Sequence, residues 1–268
     1  LVNKSLLRQV NLPNNAVDPR FFLLEPIREY ALEKLSLRAE LETQQHIHAT
    51  YFLSFAESIM AKWNIPTEDP ATERINRDLN NIRAALRWAC DSHQGTIGLQ
   101  LAGILWRFWR SGGYSSEGRG WLDVLLALDE PNPDIAFMSA QLLGMHAAAW
   151  LASDEHDYAR ATQLFEQSVT LRRTLGGTEA DTHMLHNEAL KARGMGHYQQ
   201  ATTLLENALS RNRALSTGGL GQSLYEMGFS LYGLALMLRE QGDFSRAIAL
   251  FEESLQFHQE IGDTESMA

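Results

Sequence analysis

From Asp134 to Ala268 apolar residues recur at three-and-four spacing with no proline, which predicts one helix after another. All seven prolines lie earlier, at positions 13, 19, 26, 66, 70, 131 and 133. Strand character is confined to the front. Ser5-Leu-Leu-Arg-Gln-Val10 and Arg20-Phe-Phe-Leu-Leu24 are short β-prone runs on either side of a Pro/Asn-rich turn from Asn11 to Pro19. Pro26 then suits the first turn of a helix over Ile27–Leu35, and helical patterning continues to about Trp63. A loop with Pro66 and Pro70 precedes an amphipathic helix around Ile75 to Cys90. Next comes a degenerate helical hairpin, Ile97 to Arg110 and Ser116 to Leu128, joined at Gly112-Gly113.

Three later segments superimpose. They are Asp157-Tyr-Ala-Arg-Ala-Thr-Gln-Leu-Phe-Glu-Gln-Ser168, His197-Tyr-Gln-Gln-Ala-Thr-Thr-Leu-Leu-Glu-Asn-Ala208 and Asp243-Phe-Ser-Arg-Ala-Ile-Ala-Leu-Phe-Glu-Glu-Ser254. Each opens on an aromatic (Tyr158, Tyr198, Phe244), followed by Ala161, Ala201 or Ala247 and a large Phe165, Leu205 or Phe251. Nine residues before each aromatic stands Ala149, Ala189 or Ala235. Small residues on both helices of a hairpin allow close approach, and the large ones fill the space beside them. Gly196 and Gly242 suit the short turns, and Gly176 and Gly262 the ends of second helices. The pattern resembles the tetratricopeptide repeat, although the spacings of 40 and 46 residues exceed its usual period of about 34. Glu188 stands where a large apolar residue is usual. Asp263-Thr-Glu matches Gly177-Thr-Glu, which precedes a new first helix, and Leu1 opens an apolar stretch without a cap; both ends are expected to be cut from a longer protein.

Charge narrows the range of functions. The chain of 268 residues carries a net charge of −10, with 14 basic and 16 acidic side chains through Pro133 against 9 and 17 beyond it. Such a balance argues against duplex nucleic acid as the main ligand. The single Cys90 excludes an internal disulfide and a Cys-based zinc site. The apolar stretch Gly98–Trp109, interrupted by Gln100 and Arg107, falls short of the ~20 residues of a membrane span, and no secretory signal opens the chain. A cytoplasmic location with no membrane partner is expected.

Several stretches resemble the region that follows the nucleotide-binding module in bacterial STAND-class signal-transduction NTPases, including LuxR-type and antibiotic-regulatory transcription regulators. They are Leu1-Val-Asn-Lys-Ser-Leu-Leu7, Arg20 through Leu35, Asp78 through Ala89, Leu101-Ala-Gly-Ile-Leu-Trp-Arg-Phe-Trp109, and Ser116-Glu-Gly-Arg119 with Trp121-Leu122. The resemblance implies a winged-helix remnant over residues 1–36, a helical linker region with a degenerate repeat over 37–133, and tetratricopeptide-like repeats over 134–268. The fold class expected is therefore all-α, a superhelix of helical hairpins with a small α+β remnant in front. The resemblance further implies an NTPase domain of the same polypeptide as a partner; no G-x-x-x-x-G-K-[ST] occurs in these residues.

Nothing in the sequence assembles into catalysis. Cys90 and His93 lack a third orienting group, and Cys90 reads as a small core residue. His46 and His48 point from different helix faces; His183 and His186 share one but lack further metal ligands. Asp154-Glu-His-Asp157 reads as a solvated acidic loop. Trp88, Trp106, Trp109 and Trp121 read as core, and the arginines of Asn76–Arg87 as an ordinary exposed face or a contact to a neighbouring domain. No enzyme activity, cofactor or metal is expected.

Repeats of this type turn the first helix of each pair toward a concave groove. Carried over by position, the groove comprises Leu143, His146, Trp150 and Ser153; His183, His186, Leu190 and Arg193; and Phe229, Tyr232, Leu236 and Arg239; Arg110 is equivalent in the degenerate hairpin. Aromatics with periodic arginines would suit a protein, peptide or small-molecule inducer carrying carboxylates. The alternative is that the aromatics are core and the arginines solvated. The expected function is a non-catalytic sensor arm of a bacterial regulator, and its rival is a passive scaffold that assembles a complex.

Overall fold

The computed structural model describes residues 7–10, 20–60, 70–176, 180–215 and 220–260. The chain divides into two compact units, Leu1–Thr50 and Tyr51–Ala268. In the first, β1 (Leu7–Val10) pairs antiparallel with β2 (Arg20–Leu23), Leu7 opposite Leu23 and Val10 opposite Arg20. Helix α1 (Glu25–Leu37) starts with Pro26 in its first turn, where a missing N–H costs nothing, and Glu25 pairs with Arg28 at 2.6 Å. Ser5 and Leu6 of the expected first strand lie outside the described residues. The helical run expected to reach about Trp63 is interrupted: Ala39 takes a left-handed φ of 55°, closing α1 before α2 (Leu41–Met60) begins. Trp63 is outside the described residues.

The second unit contains the end of α2 and a stack of helices. These are α3 (Pro70–Asp91), α4 (Gly95–Ile104), α5 (Trp106–Ser111), α6 (Ser115–Leu126), α7 (Ile135–Asp154), α8 (Tyr158–Thr174), α9 (Ala180–Gly194), α10 (Tyr198–Leu215), α11 (Leu220–Glu240) and α12 (Phe244–Glu260). They pair as hairpins, α7 with α8, α9 with α10 and α11 with α12, and each hairpin packs on the next through α8–α9 and α10–α11. The repeat positions account for this pairing. Ala149, Ala161, Ala189, Ala201, Ala235 and Ala247 are all buried, so the helices of each pair approach over methyl groups. Glu188, the departure from the repeat, is exposed to solvent.

The same turn closes each hairpin. The amide of the residue after the turn bonds to a carbonyl five residues back: Asp157 to Ala152 (2.9 Å), His197 to Ala192 (2.8 Å) and Asp243 to Leu238 (2.9 Å). Tyr114 bonds to Trp109 in the same way (2.8 Å) in the degenerate hairpin. The geometry requires a left-handed residue before that amide. Gly113, Gly196 and Gly242 fill the place at φ 74°, 76° and 82°, while His156 takes it at 63° without being glycine.

The helix expected over Ile97–Arg110 is not continuous. It breaks at Leu105 into α4 and α5, and the indole N–H of buried Trp109 donates to the carbonyl of Ala102 at 3.1 Å. A side chain inserted into the helical ladder is an ordinary cause of such a break. Close approach continues between α4 and α7, where a Cβ on Gly103 would sit 2.8 Å from Leu143 and one on Gly144 2.7 Å from Leu99. Helix α7 is, among the described helices, the one long and apolar enough by composition to cross a membrane. Its apolar residues are used elsewhere: Phe137, Ala140, Ala147, Ala148, Leu151 and Ala152 are buried, and the helix packs on α4, α6 and α8.

Two glycines of α6 isolate the effect of close packing. A Cβ on Gly118 would lie 2.6 Å from the fully buried Trp109 ring, whereas one on Gly120 would meet nothing within 4 Å. Gly118→Ala should therefore cost about 1–3 kcal/mol by overpacking. Gly120→Ala should be neutral or stabilise by up to about 1 kcal/mol through helix propensity. Urea denaturation of the two variants checks the contrast.

Candidate functional site

The residues expected along the groove lie on α5, α7, α9 and α11, and the structure sorts them by what they touch. On α7, His146 and Trp150 stand one turn apart; the Trp150 indole N–H donates to the Nε2 of His146. Both rings meet Phe165 of α8, at centroid separations of 6.0 Å and 5.4 Å, and both remain half-buried. Trp150 also stacks on Trp106 of α5, with centroids 6.5 Å apart and planes inclined by 27°. Trp106 is half-buried too, with the Arg107 guanidinium 5.5 Å from its ring centre. The break at Leu105 starts α5 at Trp106, next to this ring pair. The continuous helix expected from the sequence gave no reason to separate Trp106 from the fully buried Trp109.

Other members are committed elsewhere. His186 is buried, its Nδ1 2.9 Å from the Thr182 carbonyl and its Nε2 2.7 Å from the Ser230 hydroxyl. A carbonyl can only accept, so Nδ1 donates to Thr182, and the second ring nitrogen shares a hydrogen bond with the Ser230 hydroxyl, bridging α9 and α11. His186 thus belongs to the packing between hairpins and does not line a groove. Arg110, exposed at the end of α5, holds Asp154 at 2.8 Å, and Arg239 holds Glu240 at 2.9 Å. Arg193 is half-buried and makes no ion pair among the described residues. Tyr232 is half-buried against the edge of Phe251, 5.6 Å between centroids. The side chains of His183, Leu190 and Phe229 lie outside the described set.

The acidic turn is exposed at Asp154, Glu155 and His156, as a solvated loop would be, and it also joins hairpins through ion pairs. Asp154 takes Arg110; Arg119 of α6 reaches both Glu155 and, at 3.2 Å, Asp157. The Asp157 carboxylate also accepts from the Arg160 amide at 3.2 Å, capping α8, and Arg160 bonds Asp123 of α6 at 3.0 Å. Burial pushes the Asp154 carboxyl up, against the pull of Arg110. Likewise Arg83, on the face left undecided, grips Glu117 of α6 with two bonds of 2.7 Å and 2.6 Å, and Trp121 donates to the same carboxylate at 3.2 Å. That double bond from Arg83 holds Glu117 below the usual carboxylate range, more than burial raises it.

Reactive chemistry finds no support in the described residues. Burial and neighbouring Asp91 push the Cys90 thiol up, away from the thiolate a nucleophile needs. Among the described residues, no group of three or more His, Cys, Asp and Glu is placed to hold a metal ion. Half-buried aromatic area is offered by Trp106, Trp150 and Tyr232, with the Arg107 guanidinium against the Trp106 ring.

A carboxylate with a depressed folded value stabilises above its unfolded value, near pH 4.3, and loses that contribution as pH falls. Glu117→Gln should therefore cost about 1 kcal/mol at pH 7 and much less near pH 3. Urea denaturation at the two pH values measures the difference, and equal losses at both would contradict the pairing as the source.

Comparison with known proteins agrees with the repeat. Residues 230–261, from the second half of α11 into the end of α12, match the tetratricopeptide repeat family. Over 129 residues, 47% of the chain, it is 31% identical to proteins named as HTH-type transcriptional regulators in Mycobacterium bovis and Mycobacterium tuberculosis. The matched stretch covers 14% of those relatives' length. Among solved structures it is similar to a protein described as a kinesin light chain of Podosopora anserina with nearly identical TPR-like repeats, at 14% identity and a TM-score of 0.49, covering 79% of this chain and 94% of that one. It is also similar to BtubC of P. vanneervenii, at 12% identity and a TM-score of 0.46, covering 82% and 92%. The chain is a helical-hairpin array, one stretch of which matches the tetratricopeptide repeat family.

Proposed function

We propose that this array is the non-catalytic sensor arm of a multidomain transcription regulator, binding a protein, peptide or small-molecule inducer along the first helices of its hairpins. The observation that carries the regulatory part is the 31% identity to HTH-type transcriptional regulators, a match spread over 47% of this chain. The resemblance of the front half to STAND-class NTPases points the same way and makes the NTPase domain of such a regulator the element that the arm would act on. The strand pair with α1 is then its winged-helix remnant, followed by the helical linker and the repeats.

The groove in this reading centres on Trp106, Trp150, Arg193 and Tyr232, with Arg110, His146 and Arg239 at its margin and His183 and Phe229 on the same first helices. Half-buried aromatics can give up their remaining exposure to a ligand without the fold being rebuilt, and arginine supplies the bidentate partner for a carboxylate. Sensing demands more than binding. The ligand must favour one arrangement of the regulator over another, because equal affinity for both shifts nothing.

The test is co-purification from cells with the Arg193→Ala/Arg239→Ala variant beside the parent chain. Both side chains lie outside the core, so thermal stability should be unchanged while retention of the bound partner falls about tenfold or more, corresponding to ~1.4 kcal/mol or more. Undiminished retention would sink the groove. In the complete regulator, partner binding should change nucleotide exchange or self-association; a passive scaffold would change neither.

A further inference from the structure

The Trp150 ring is held by a bond that a proton can break. Its indole N–H donates to Nε2 of His146, one turn earlier on α7. An indole N–H can only donate, so the imidazole nitrogen that faces it must be bare. His146 is therefore neutral while the bond exists. A second ring proton makes both nitrogens donors, and two N–H groups then point at each other. The surrounding contacts are between rings: Phe165 of α8 meets both side chains edge-on, at interplanar angles of 70° and 78°, and Trp106 of α5 stacks on Trp150. Aromatic contacts of this kind tolerate several orientations, and the hydrogen bond selects one. Both His146 and Trp150 are half-buried, so solvent protons reach the pair.

We propose that His146 is a pH-sensitive latch on Trp150, locking the indole in place while the imidazole is neutral and releasing it on protonation. The consequence for binding rests on the groove reading above, in which Trp150 is a central ring: the face is set at neutral pH and loosened in acid. The charged groups on the helices packed against α7 are mostly engaged with one another. Helix α4 carries no ionisable side chain. Arg110 of α5 and Asp154 of α7 hold each other at 2.8 Å, and the Arg107 guanidinium lies against Trp106. On α6, Glu117 takes Arg83, Arg119 reaches Glu155, and Asp123 takes Arg160 of α8, where Glu166 is exposed. Arginine keeps its charge throughout the range in which histidine titrates. Burial pushes the Asp154 carboxyl up toward that range, and α9 carries His183 and His186; these are the groups to be separated from His146.

The experiment follows the indole N–H resonances of the full chain by NMR from about pH 8 to about pH 5, the span in which histidine changes charge. Trp150→Phe assigns the Trp150 signal. That signal should shift along a one-proton curve, and acrylamide quenching of Trp150 fluorescence should rise at the acid end. His146→Gln offers the indole a carbonyl oxygen at every pH, so both responses should vanish. Asp154→Asn and His183→Gln should leave both in place. A Trp150 signal that stays fixed in the parent chain, or a shift that survives His146→Gln, would overturn the proposal. Loss of the shift in Asp154→Asn or His183→Gln would overturn it too, by assigning the titration to another group. The readout needs no partner, so a failed latch leaves the groove standing, and undiminished partner retention in Arg193→Ala/Arg239→Ala sinks the groove without touching the latch.

Discussion

Two helices joined by a three-residue turn must pack almost in contact, and nearly everything else in this protein depends on meeting that requirement. The alanines opposed across each hairpin, from Ala149 and Ala161 to Ala235 and Ala247, remove the side-chain bulk that would hold the axes apart. Closely paired axes leave room beside them only for a fixed set of larger residues, hence Phe165, Leu205 and Phe251 at one repeat position. The turn closing such a pair needs a left-handed residue, and glycine or, once, His156 supplies it. The same economy extends to α4 and α7 through Gly103 and Gly144.

Stacking one hairpin on the next is a different problem, solved partly with polar groups. Arg83 with Glu117, Arg119 with Glu155 and Asp157, Arg160 with Asp123, and Arg213 with Glu253 at 2.8 Å all connect separate elements. Partly exposed pairs of this kind contribute little each, but they fix register where apolar packing tolerates sliding. His186 does the equivalent work inside, tying α9 to Ser230 of α11. On the first helices, the rings of Trp106, Trp150 and Tyr232 and the Arg193 side chain remain half-buried.

The hairpins were readable because their determinants are local. Alanine and aromatic spacing repeats three times, and the helix order, the turns at Gly196 and Gly242 and the second-helix stop at Gly176 follow from the sequence. What escaped reading depends on partners distant in sequence. The break at Leu105 arises when the Trp109 indole reaches the Ala102 carbonyl, which an apolar run does not announce. The acidic turn is exposed, as read, but its ion pairs were not visible because Arg110 and Arg119, which hold it, stand some 40 residues earlier. His186 carries the same three-and-four spacing as a groove residue, and only the arrival of Ser230, 44 residues later, buries it. Trp106 was grouped with Trp109 although the break gives the two rings different surroundings. The groove reading was half visible: periodicity found the first helices but could not separate rings that face neighbours from rings that face solvent.

Function in this account lies on surfaces, and its central claim is that the first helices of the hairpins receive the partner. Hydrogen–deuterium exchange of the chain, alone and with its co-purified partner, tests this most directly. The account predicts slowed exchange on α5, α7, α9 and α11 around Trp106, Trp150, Arg193 and Tyr232, with α8 and α10 unchanged. Protection confined to α8 and α10, or to the unit of residues 1–50, would contradict it.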